Sequence, residues 1–163
     1  MLVVSNTSPL LNLAIIGQLD LLRQQFGKIM IPKAVLEELR VEENLPGSEH
    51  LQAALVAGWL QVQEVDNPSV VQLLQRDLDR GESEAIALAL SLKANWIILD
   101  ERDGRKTAKN LGLQVIGILG VILRAAKNGQ ISSLSDVINQ LQTQAGFRIA
   151  PNLLAQILTG ETK

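Results

Sequence analysis

Apolar residues along this chain fall into two patterns: short continuous runs, and longer stretches in which they recur every three or four positions. The runs read as buried strands and the recurring stretches as amphipathic helices, since side chains repeat with period 2 in a strand and 3.6 in a helix. Runs stand at residues 2–4, 28–31, 96–99 and 114–116, while 59–65 alternates apolar and polar like a strand with one open face. Between the strands the pattern predicts helices. Ser8 as N-cap with Pro9 at the first helical position opens one that Gly17 stops. Others follow over 19–25 and 34–40, from Ser48 to about residue 56, and over 68–78, 81–93 and 102–111. The chain closes with helices over 119–127, 134–144 and 152–158.

Strands that alternate with helices and are apolar throughout belong to a mainly parallel β-sheet covered on both faces. The expected fold is therefore α/β, a three-layer α/β/α sandwich. No linker, repeat or low-complexity stretch divides residues 1–163, which predicts one domain with a helical C-terminal extension from about residue 130. No apolar stretch is long enough for a signal or membrane segment, so the expectation is a cytoplasmic protein with no membrane partner.

Composition narrows the chemistry. The chain has no cysteine and one histidine, His50, which excludes thiolate zinc sites, cysteine nucleophiles and sites needing several histidines. Acid–base work falls to the 17 Asp and Glu residues. Aromatics are only 2% of the chain, so base stacking on aromatic side chains is not expected. A net charge of −2 means that a nucleic-acid enzyme of this kind needs a local basic patch. The glycines at 117 and 120 fit neither a dinucleotide fingerprint nor a phosphate loop, so no nucleotide cofactor is expected.

Sites in open α/β sheets form beyond the carboxyl ends of the strands. There the chain offers Asn6 after its first strand, Asp100 and Asp103 after the fourth, and Glu37, Glu38, Glu82 and Glu84 near helix starts. An oxygen-rich, nitrogen-poor set suits Mg²⁺ or Mn²⁺, ions that assist phosphodiester hydrolysis. Each residue has an ordinary structural alternative as well. Asn6 suits a turn, and Glu37 and Glu38 a solvated helix face, with room for only one of the pair to point inward. Asp79-x-x-Glu82 has the pattern of a capping box, which leaves Glu84 slightly ahead of Glu82 as a ligand candidate. Asp100 suits an N-cap and Asp103 a first-turn acid. Arg102, Arg105, Lys106 and Lys109 recur at i, i+3, i+4 and i+7, forming either a solvated face or the basic strip that holds a phosphate backbone.

The order of four segments, VVSNTSPLLNLA, IPKAVLEELR, GESEAIALALSLKANWIILDERDGRKTAKNLGL and GILGVILRAAKNG, resembles the PIN-domain nucleases, the family that includes the VapC-type toxins. The start Ser-Asn-Thr-Ser-Pro and the late segment Gly146-Phe147-Arg148-Ile149 look closest to a PIN-like branch. The resemblance implies a metal-dependent endoribonuclease whose acidic positions fall at Asn6, Glu38, Glu82 or Glu84, and Asp100, with Asp103 in support and Thr7 beside the metal. It makes Asp100, Glu38 and Glu84 the catalytic candidates. It implies Mg²⁺ or Mn²⁺ as cofactor, an RNA substrate held by the Arg102–Lys109 strip, an antitoxin protein partner and a homodimer. Asn6 departs from the aspartate usual in the family: its amide oxygen can ligate a cation but brings no charge. A catalytically weakened RNA- or protein-binding module is therefore the rival reading. A phosphoacceptor role for Asp100 is weaker, for want of a lysine after a late strand.

Overall fold

Strands of two or three residues suffice here because every one pairs with a parallel neighbour and the central one is buried throughout. The computed structural model describes residues 1–160; residues 161–163 of the expected domain lie outside the described residues. The strands are β1 (Val3–Ser5), β2 (Ile29–Ile31), β3 (Leu60–Val62), β4 (Trp96–Ile98) and β5 (Val115–Ile116). They form one parallel sheet in the order β3-β2-β1-β4-β5. β1 is central, with Val4 opposite Met30 of β2 on one side and Ile97 of β4 on the other.

Ten helices fill the connections among the described residues: α1 (Thr7–Ile15), α2 (Asp20–Phe26), α3 (Lys33–Leu39), α4 (Ser48–Ala57), α5 (Pro68–Leu74), α6 (Arg80–Leu92), α7 (Arg102–Asn110), α8 (Ile118–Lys127), α9 (Leu134–Thr143) and α10 (Pro151–Thr159). Strand side chains alternate between the two sheet faces. Val3, Ile29, Ile31, Leu60, Ile98 and Ile116 join one apolar cluster with Leu10, Leu22, Val35, Leu51, Val121 and Leu141. Val4, Ile97 and Leu99 join the other with Ala85, Leu88 and Ala108, against which Met30 and Val115 also pack. The sheet thus has helices on both faces, the expected α/β/α sandwich. The C-terminal helices are part of this packing, since Val137, Ile138 and Leu141 of α9 and Ile157 of α10 are buried in the first cluster.

The structure corrects several boundaries. α1 starts at Thr7 with Asn6 in the N-cap position, not at Pro9 after Ser8. Proline has no N–H to lose anywhere in the first turn, where the N–H groups lack intrahelical partners, so Pro9 sits comfortably at the third helical position. β3 ends at Val62 rather than residue 65, although the Gln63 N–H still donates to the Ile31 carbonyl. α5 stops at Leu74, and a turn brings Leu78 back into the second cluster before α6 starts. Glu101, not Asp100, occupies the N-cap position of α7. No helix among the described residues is long and apolar enough to cross a membrane.

Candidate metal centre

The strand order reverses direction between β1 and β4. In doubly wound sheets this switch point leaves a crevice at the carboxyl ends, because the connecting helices depart to opposite faces. Asn6 leaves β1 and Asp100 follows β4, so these two residues flank the crevice. The Asn6 backbone N–H donates to the Ile98 carbonyl at 3.0 Å, locking the two strand ends together. The Asn6 side chain is buried yet makes no helix cap, and its Oδ1 has no hydrogen-bond partner within the protein.

Asp100 is held from its other side. Its Oδ1 accepts the Ile118 N–H at 2.9 Å, at the start of α8, and its Oδ2 is buried without a partner. Arg105 lies alongside, with its guanidinium donating to the Leu99 carbonyl at 2.8 Å. Burial pushes the Asp100 carboxyl above its ordinary range and the Glu101 charge adds to this, against the Ile118 N–H and Arg105, which pull it down. Gly117 is required by this clamp: a Cβ there would lie 2.7 Å from Asp100 Oδ1 and 2.8 Å from Arg105 Nη1. Gly117→Ala is expected to push the carboxylate out of register. Thermal unfolding should report a loss of about 1–3 kcal/mol, the usual range for overpacking.

Glu38, on α3, accepts a 2.8 Å hydrogen bond from Thr7 Oγ1 through its Oε2. Its other oxygen lies over Gly81 at the start of α6, where any Cβ would collide with it. Its neighbour Glu37 turns away to pair with Arg80 at 2.8 Å. The structure therefore separates the two glutamates as the helix geometry requires, and brings Glu38 to Thr7.

Glu82 and Glu84 also have different surroundings. Asp79 and Glu82 do form the capping box: the Glu82 N–H donates to Asp79 and the Asp79 N–H to Glu82 Oε1. Glu82 Oε2 faces α7, close enough that a Cβ at Gly104 would stand 2.8 Å from it. Burial raises the Glu82 carboxyl above its usual range, despite the Asp79 N–H. Glu84 instead uses both oxygens on its surroundings, accepting the Ala34 N–H at 3.2 Å and Arg80 Nε at 2.9 Å. Glu82 thus has one oxygen in the capping box, while both oxygens of Glu84 are engaged. Asp103 is exposed in the first turn of α7.

Among the described residues no three acidic or imidazole side chains stand together as a ready-made cation cage. The two residues that flank the crevice each carry a buried oxygen without a partner, one an amide and one a carboxylate. Both are hard donors, and they fit a hard divalent ion that keeps several of its waters, the habit of Mg²⁺. The basic strip divides: Arg102, Lys106 and Lys109 are exposed, while Arg105 is half-buried against Asp100. Sequence reasoning missed the Ile118 N–H, Gly117 and the inward role of Arg105. The only local signal was a glycine between an apolar run and a helix start.

A parallel sheet with this strand order and partnerless oxygens at its switch point defines a doubly wound α/β module. The PIN-domain family DUF3368 matches residues 2–161, and the chain belongs to that family. The chain is similar in fold to a solved PilT N-terminus domain protein from the hyperthermophilic archaeon Sulfolobus solfataricus P2, with a TM-score of 0.51 and 21% identity over 82% of this chain and 96% of that one. No curated protein matches the chain.

Proposed function

We propose that the protein is a metal-dependent endoribonuclease, and that its active centre is the crevice between the ends of β1 and β4. One observation carries this reading: two buried oxygens, Asn6 Oδ1 and Asp100 Oδ2, have no partner in the protein although they lie at the switch point. Orphaned buried oxygens cost roughly 1–3 kcal/mol each, and an ion or its waters would remove that cost.

A bound Mg²⁺ or Mn²⁺ would neutralise charge on the attacking and leaving oxygens of a phosphodiester. Asp100 supplies the charged ligand and Asn6 a neutral one. Glu38, exposed and bonded to Thr7 through one oxygen, keeps the other to orient or deprotonate a water. Glu82 and Glu84 each serve hydrogen bonds of their own, Glu82 in the capping box with Asp79 and Glu84 with Ala34 and Arg80, so the metal-holding pair of this proposal is Asp100 and Asn6. The exposed cations Arg102, Lys106 and Lys109 lie on α7, which starts beside Asp100, and would hold the phosphate backbone. Family membership extends the proposal to the toxin half of a toxin–antitoxin pair, with an antitoxin protein and a second copy of the chain as partners.

Asn6 favours a second reading, a PIN domain that binds RNA or protein without cutting, because it removes one of the charges a cation would meet. An RNase assay in Mn²⁺ with the wild type and Asn6→Asp separates the two. The nuclease reading expects cleavage by the wild type and an increase of roughly tenfold in Asn6→Asp at limiting metal. Cleavage only in Asn6→Asp would establish the binding module.

A further inference from the structure

A cavity lined in part by Asp100 opens where β5 runs into α8. It has a volume of ≈ 420 Å³, and its lining includes Asp100, Arg105, Gly117, Gly120, Phe147 and Leu153. Part of the lining is β5, through Val115 and Ile116, with the clamp that holds Asp100. The rest comes from the start of α8 and the C-terminal segment: Phe147 lies in the 146–149 stretch and Leu153 in α10. Phe147 is half-buried, so part of its ring remains available, and Leu153 is 37% exposed.

We infer that this cleft is a subsite for one unpaired nucleobase of an RNA strand whose phosphate lies at the acidic crevice; the inference rests on the nuclease reading above. Four features of the cleft argue for that occupant. Its volume lies in the range of small-molecule sites, large enough for a single base. Apolar walls with a few convergent polar groups are the usual make-up of such a site. Phe147 supplies an aromatic face, and any base can stack on one. Arg105 commits one terminal nitrogen to the Leu99 carbonyl and has further N–H groups to offer a base edge. The two glycines keep the floor low. A Cβ at Gly117 would meet Asp100 and Arg105, and one at Gly120 would lie 2.8 Å from Ile116 Cγ1. Because Asp100 borders both the crevice and the cleft, a strand cut at the crevice has an adjacent base within reach of Phe147. The scarcity of aromatic residues argued against stacking, but the fold places one of its two phenylalanines where a stack would matter.

The test is a binding cycle in EDTA, so that no strand is cut. Dissociation constants are measured for a six-nucleotide single-stranded RNA and for a six-unit abasic ribose-phosphate strand, with the wild type and Phe147→Ala. The subsite requires Phe147→Ala to weaken the base-bearing strand roughly tenfold, the scale of one stacked base, and to leave the abasic strand unchanged. Phe147→Leu keeps apolar bulk for packing and is expected to show the same base-specific loss, which covers a poorly folded alanine variant. Equal weakening of both strands would make Phe147 a packing residue only, and an unchanged affinity for both would remove the subsite. Either result leaves the nuclease reading intact, because that reading stands or falls on Mn²⁺-dependent cleavage.

Discussion

Asp100→Ala is expected to lower Mn²⁺-dependent RNA cleavage by roughly a hundredfold or more, the scale on which one preorganised electrostatic group acts. It should also weaken Mn²⁺ binding, measured by calorimetry without substrate. In the proposed centre Asp100 is the charged ligand: it is half-buried, its Oδ1 is held by the Ile118 N–H with Arg105 alongside, and its buried Oδ2 has no partner in the protein. The same residue should show a cost to stability. Burial first, and the Glu101 charge in addition, raise its carboxyl above the value it has in an unfolded chain. Burial does the same to Glu82. The folded protein therefore holds these protons more tightly than the unfolded chain does. The stability linked to them is fully present below the ordinary carboxylate range and is lost as pH rises through the higher folded-state values. In EDTA the melting temperature should fall over that interval, and Asp100→Asn should flatten the fall and melt higher than the wild type at pH 7. Mn²⁺ should restore part of the loss in the wild type alone. Full cleavage by Asp100→Ala would remove the crevice from the reaction.

Gly47→Ala is expected to be the most destabilising single methyl addition among the glycines. Gly47 stands in the N-cap position of α4 at φ +87°, a left-handed conformation that costs an L-residue energy. An added Cβ would also lie 2.9 Å from the carbonyl carbon of Ala14 and the nitrogen of Ile15. Those are backbone atoms of α1 and cannot swing aside. Strain and overpacking together come to about 3 kcal/mol, or roughly 6–12 °C in melting temperature for a chain of this size. Gly58→Ala provides the control. It has φ +83° in the same left-handed region but nothing within 4 Å of the added carbon, so it carries the strain without the collision and should cost about 1 kcal/mol. Equal losses in the two variants would show that the approach of α1 to Gly47 relaxes freely.

The layered fold was legible because the information it needs is local. Continuous apolar runs such as Trp96–Ile98 and the i, i+3, i+4 spacing of α6 can be read within ten residues, and both proved to be strand and helix. The capping box at Asp79 and Glu82 is equally local and formed as read. The start of α1 is not legible locally, because Ser8-Pro9 and Asn6-Thr7 are both acceptable helix openings and the distinguishing contact is that of the Asn6 N–H with the Ile98 carbonyl. That contact spans most of the chain. For the site, the candidate oxygens could be named from their positions after strands, but their commitments could not. Whether Glu82 or Glu84 is tied down depends on Arg80 and on the Ala34 N–H, contributed by α3. The role of Asp100 at the start of α8, where local pattern suggests a cap for α7, likewise depends on how β4 and β5 stand side by side. Such partners follow from topology, which a window of sequence does not contain.

The central place of β1 has a consequence for when the protein can act. Val3–Ser5 pairs with β2 early in the chain, but its other neighbour, β4, is not synthesised until residue 98. The contact between Asn6 and Ile98 closes a loop of nearly the whole intervening chain, so it forms late and only with the rest of the core. A nascent chain that has emerged only as far as α5 carries Asn6 and Glu38 but lacks Asp100. The crevice therefore cannot assemble before residues 98–100 have emerged, and Asn6 and Asp100 come to flank it only as the sheet closes around β1.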